Sequence, residues 1–182
     1  MMDTPPPDKL VHRPKEQDPR LQGLGFLVGH FQGEGKYLKG SRQFQKDVDG
    51  AWQAGGQFLS LRMRVAYPLK DGRVDVHDAF VVVGLNPANK QLEARAYTDS
   101  GGMIDYQLEV AGQEICFPDR PPGHQSETKA LRAHEVRARK VLCPHENGFE
   151  VRLEVDFGTG DYELYSRIIM IKVEDAVISP QT

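Results

Sequence analysis

Leu59-Ser60-Leu61-Arg62-Met63-Arg64-Val65-Ala66-Tyr67 is the stretch that decides the fold. Leu59, Leu61, Met63, Val65 and Tyr67 alternate with Ser60, Arg62, Arg64 and Ala66. Successive side chains of a strand point to opposite sides, so period two puts one set on a buried face and the other toward water. The pattern returns in Val151, Leu153, Val155 and Phe157 against Arg152, Glu154 and Asp156, and in Ile104, Tyr106, Leu108 and Val110 against Asp105, Gln107 and Glu109. The runs Val74 to Leu85 and Tyr162 to Val173 are strand-like but apolar on parts of both faces, as expected where a second layer or a plug covers the outside. Turn signals separate these runs: Gly55-Gly56, Asp71-Gly72, Asn86-Pro87, Gly101-Gly102, Ala111-Gly112, Asn147-Gly148 and Gly158-Thr159-Gly160. Several are short enough for hairpins, whereas parallel neighbours would need crossovers. The expected fold is therefore all-β: an antiparallel meander closed into a barrel of about eight to ten strands, because closure removes the exposed edges.

Working outward, Leu21, Leu24, Phe26 and Leu27 fall close to helical spacing within Pro19 to Val28, which predicts one or two helical turns shortened by Gly23 and Gly25. Met1 to Asp18 carries four prolines among charges and reads as a flexible arm. The barrel is expected over 19–175, with a tail over 176–182. Ser126 to Arg139 is the one ambiguous segment: its Ala, Leu, Glu and Arg content favours a helix and its alternating faces fit a polar strand poorly, yet propensity is a weak guide and it is assigned here as a strand.

The chain has 182 residues, 39% of them apolar before 18 glycines are added, which suits one globular domain with one core. Its 23 basic residues against 26 acidic ones leave a net charge of -3, so no global field favours nucleic acid or an anionic membrane. No apolar run is long enough for a membrane span, and Met1 to Arg20 lacks the apolar centre of a secretory signal, so a cytoplasmic location is expected. Cys116 and Cys143 are too few for a disulfide framework and are expected to be free thiols.

Leu27-Val28-Gly29-His30-Phe31-Gln32-Gly33-Glu34-Gly35 resembles the first strand of calycin barrels, the superfamily of lipocalins, fatty-acid-binding proteins and nitrobindins, with Phe31 where those families usually have Trp. The stretch Gly55 to Asp99 resembles a bacterial calycin-like family of unassigned function, through Gly84, Leu85, Asn86, Pro87, Tyr97 and Asp99. The segment Glu150 to Lys172 is similar to that family's last hairpin. The resemblance implies a barrel whose interior holds one small ligand. In lipocalins a late Arg packs over the first-strand aromatic, which implies Arg167 over Phe31; fatty-acid-binding proteins instead use Arg and Tyr of their final strands as a carboxylate clamp, which Tyr165 and Arg167 could supply. Both readings stay open. Nitrobindin-like barrels carry an axial His near the C-terminus, and Ser166 to Thr182 has none, so no haem is expected unless His77 or His134 substitutes.

Other candidates come from strand faces. If Tyr97 points inward it carries Arg95 and Asp99 with it, giving an interior with charged groups that must be paired or hydrated. Tyr106 lies on the apolar face of its run. The ligand-binding set is thus Arg95, Tyr97, Tyr106, His77, His134 and Arg167. None of the six histidines forms a close metal-ligand pair, and neither metal nor cofactor is expected. The leading function is a small-molecule binding protein for one apolar or amphipathic ligand. The alternatives are an isomerase, cyclase or decarboxylase with His77 or His134 beside Asp78 or Glu135, or a filled barrel that serves as an interaction module. The expected partner is a small-molecule ligand, with no nucleic acid and no membrane; a homodimer stays open at this point.

Overall fold

A computed structural model describes residues 16–38, 43–118 and 137–173. A single helical turn, α1 (Pro19–Gln22), starts at Asp18, whose side chain accepts from the Arg20 N–H, and Pro19 fills the first helical position where a missing N–H costs nothing. A 3-10 turn, Gly25–Leu27, follows. Then come β1 (Gly29–Tyr37), β2 (Gln43–Gln53), β3 (Phe58–Pro68), β4 (Val74–Leu85), β5 (Leu92–Thr98), β6 (Met103–Gln107), β7 (Glu109–Ala111), β8 (Glu114–Pro118), β9 (Arg137–His145), β10 (Gly148–Asp156) and β11 (Glu163–Val173). Every pairing is antiparallel, in the order β6-β5-β4-β3-β2-β1-β11-β10-β9-β8-β7.

The predicted all-β meander barrel with a short N-terminal helix is therefore the observed fold, nearly closed. The run from Ile104 to Val110, expected as one strand, is broken. Leu108 is buried and its N–H still bonds the Leu92 carbonyl, after which β7 leaves to pair with β8 at the other edge of the sheet. One bent segment thus supplies both free edges. Between β6 and β8 no ladder forms; the seam is bridged by the edge-to-face contact of Tyr106 and Phe117, ring centroids 5.6 Å apart.

The alternation fixes which residues face inward. Leu59 and Leu61 of β3, Val81 and Val83 of β4, Leu92, Ala94 and Ala96 of β5, and Ile168 and Met170 of β11 are all buried. One end of the barrel is closed by the N-terminal turns, whose Leu21, Leu24 and Leu27 are no more than 2% exposed. This plug lies directly on the wall: a Cβ on Gly50 would stand 1.8 Å from the Leu27 carbonyl oxygen. The other end is filled by an aromatic cluster of Tyr37, Phe44, Tyr67 and His77, with centroids 5.4–5.7 Å apart in sequence and the Tyr37 and Tyr67 hydroxyls 3.1 Å apart. Gly35 makes room for it, since a Cβ there would meet the Phe44 ring at 2.6 Å.

Within the stretch assigned by sequence to the arm, the Gln17 side-chain amide donates to the Gly56 carbonyl at 2.8 Å. Residues 1–15 of the expected arm, the tail 176–182 and nearly all of Ser126 to Arg139 lie outside the described residues. Among the described residues no helix is long and apolar enough to cross a membrane.

Candidate functional site

Between the helical plug and the aromatic cluster, an internal space of about 120 Å³ lies against the seam. Its wall is mostly apolar, with Val48, Leu61, Ala96, Phe117 and Phe149 among its members. Its polar members are Lys46, Lys140, Thr98 and Tyr106. Lys46 reaches this wall because β2 alternates Phe44, Lys46 and Val48 on one face. Lys140 comes from β9, four ladder steps round the barrel through β1, β11 and β10. Desolvation among apolar side chains, and then the charge of Lys140, push the Lys46 amine down to about 7.

Among the described residues, larger concavities lie on the outer wall. An open groove of about 860 Å³ runs over β1 to β5 past His30, Arg62, Arg64, Phe80 and Tyr97. Several of its polar groups are already paired: His30 Nδ1 lies 2.6 Å from Asp49, and Arg64 forks onto Asp78 at 2.8 and 3.1 Å. Exposed pairs of this kind occupy their own donors and acceptors and leave little for a ligand. The internal space, with its mostly apolar wall and two amines on it, is the stronger site.

Of the sequence-predicted residues, Tyr106 lines this space. Arg95 and Tyr97 do not: β5 turns its small residues Ala94, Ala96 and Thr98 inward, while Arg95 pairs with Asp105 at 2.5 Å and the 40% exposed Tyr97 stacks on Phe80 outside. The reason is energetic. An outward Arg95 has a carboxylate on the neighbouring strand, whereas an inward one would need a partner in an apolar lumen. His77 stands at the rim against Tyr67, and its carboxylate neighbour is Asp75 at 3.3 Å rather than Asp78, which Arg64 holds on the outer face. His134 and Glu135 lie outside the described residues.

Arg167 also departs from expectation. It points outward and forks onto the buried carboxylate of Glu150, with both bonds at 2.8 Å. That hydrogen bond and charge raise the guanidinium above its ordinary range. Neither the stack on Phe31 nor a lumenal clamp is formed. The register pairs Phe31 with Lys172 and Arg167 with Lys36, so the cation nearest the buried Phe31 ring is Lys172, its Nζ 6.0 Å from the centroid. Phe31 is instead fixed by Phe149, edge-to-face at 4.9 Å. Cys116 and Cys143 are free and half-buried, and desolvation raises both thiols, which opposes nucleophilic use. Lys46 was missed by sequence reasoning. The signal was present, because period two in Gln43 to Gln53 sets it between Phe44 and Val48.

No protein-family model matches the chain, and no curated protein does. Among solved structures, the chain is similar to Rv2717c from M. tuberculosis, at 18% identity and a TM-score of 0.54, covering 87% of this chain and 100% of that one. At this identity the likeness shows a shared barrel fold and nothing of function.

Proposed function

We propose that the protein is a cytoplasmic, calycin-like small-molecule binding protein whose lumen takes one apolar or amphipathic ligand. The observation that carries this reading is the internal, mostly apolar space of about 120 Å³. Its size narrows the ligand. Water occupies about 30 Å³ in the liquid and an engineered apolar cavity of about 150 Å³ admits benzene, so this lumen suits a single ring or a short chain, not a long acyl tail. The plug and the aromatic cluster fill the rest of the barrel.

The competing acid–base reading draws less support. His77 and Asp75 are adjacent, but their side chains are 56% and 41% exposed at the rim, where no desolvated proton transfer is set up. The binding reading is tested with toluene as probe, by NMR line broadening of its methyl signal. Wild-type protein is expected to bind it saturably. Ala96→Leu, which adds three carbons to the lumenal wall, is expected to weaken binding at least about tenfold, the scale of a lost apolar contact surface. Equal binding by the two proteins would place toluene elsewhere and defeat the proposal.

A further inference from the structure

The described wall of the lumen contains two amines and no carboxylate. Among the described residues, none accepts a hydrogen bond from the Lys46 ammonium, which enters between Phe44 and Val48. A lysine becomes a nucleophile at neutral pH under two circumstances, desolvation in an apolar pocket or a neighbouring cation. The half-buried Lys46 meets the first in part, standing among Val48, Leu61 and Met63, and the second through Lys140 on the same lumen.

We propose that Lys46 captures small apolar aldehydes or ketones inside the barrel as reversible imines. This rests on the lumen being a ligand site and specifies the chemistry of the ligand. The neutral Nζ adds to the carbonyl carbon, forming the C–N bond as the C=O π pair moves to oxygen. A proton passes from nitrogen to that oxygen to give the carbinolamine. Nitrogen's lone pair then forms C=N as the hydroxyl leaves with a proton as water, and the remaining N–H proton is lost or retained according to pH. Nothing is oxidised or reduced, and hydrolysis reverses the sequence. The mostly apolar wall favours the dehydration step. With its amine pushed down to about 7, Lys46 is about half neutral at pH 7, where an exposed lysine is almost wholly protonated. The space of about 120 Å³ limits the partner to a carbonyl compound of about one ring.

The test uses the full chain with benzaldehyde and sodium cyanoborohydride, which reduces an imine to a stable secondary amine. Intact mass should rise by one benzyl group per chain, and peptide mapping should place it on Lys46. Labelling there is expected to exceed that of the exposed Lys70 and Lys90 at least about tenfold at pH 7, because far more of its amine is neutral. The rate should reach half its maximum near pH 7, toluene should suppress it, and Lys46→Met should lose it. Labelling spread over the exposed lysines, or a midpoint above about pH 9 as for an ordinary lysine, overturns the proposal. Toluene protection in wild-type protein serves as the second measurement where Lys46→Met fails to fold. Toluene binding without labelling of Lys46 refutes imine formation and leaves the ligand site standing; loss of both refutes the ligand site.

Discussion

Replacing Lys46 by Met keeps an unbranched side chain in the wall and removes a desolvated charge, so it should stabilise the barrel in a pH-dependent way. An amine whose value falls from 10.5 in the unfolded chain to about 7 in the folded one disfavours folding by up to about 5 kcal/mol below pH 7, at about 1.4 kcal/mol per unit. Lys46 is only half-buried by surface, so solvent relaxes part of that cost and about 2 kcal/mol is the expected gain for Lys46→Met at pH 6. The sign with pH follows from proton counts. Between about pH 7 and 10.5 the unfolded chain holds the proton and the folded one has released it, so wild-type stability rises with pH across that window and is at its minimum below it. Lys46→Met lacks this dependence, and its advantage should shrink to nothing near pH 10. Urea unfolding at pH 6, 8 and 10, with m-values checked for equality, measures the difference directly. At pH 6 the thermal midpoint should rise by roughly 4–8 °C for a chain of this size. A variant less stable than wild type at pH 6, or a difference that does not change with pH, would refute the reasoning and show the ammonium to be paired or hydrated.

Gly50→Ala should destabilise by at least about 3 kcal/mol, because its Cβ would collide with the backbone carbonyl of Leu27 and no flexible side chain can yield; a thermal melt within 1 kcal/mol of wild type would show that the plug moves freely. A double-mutant cycle on Phe31 and Arg167 should give additive losses, since the two point to opposite sides of the wall and have separate partners in Phe149 and Glu150; measurable coupling in urea melts would contradict the register described.

The wall was legible where apolar side chains are large. Leu59, Leu61 and Met63 announce the inner face of β3 because each alternates with a polar residue, and the hairpin turns give antiparallel order directly. β5 misled because its inward residues are Ala94, Ala96 and Thr98, small and weakly apolar, while the bulkier Tyr97 and Arg95 find their stacking and ionic partners outside. The break at Leu108 left no mark in the alternation, because bending a strand to a second partner keeps its period. Lys46 was hidden by its type: a lysine is so seldom buried that its place in the period is easily discounted, and its neighbours Phe44 and Val48 carried the information instead. The failed Arg167 contact is a matter of register, which depends on β1 and β11 finding each other across nearly the whole chain.

That long-range ladder and the bent segment at Leu108 together define a topological ring. Read round the wall from β7 through β11 to β1 and on to β6, each strand pairs with its sequence neighbour at every step except β11 to β1. The sheet's edges fall in the middle of the sequence, and its first and last strands fall in the middle of the sheet. Hairpins β1–β2–β3–β4–β5–β6 and β7–β8–β9–β10–β11 can therefore form locally as two independent meanders, and the entropy of closing a long loop is concentrated in the single β1–β11 zipper. A circular permutant that links β11 to β1 and opens at the seam would turn that zipper into a connection between sequence neighbours, lowering the contact order without altering one residue of the lumen.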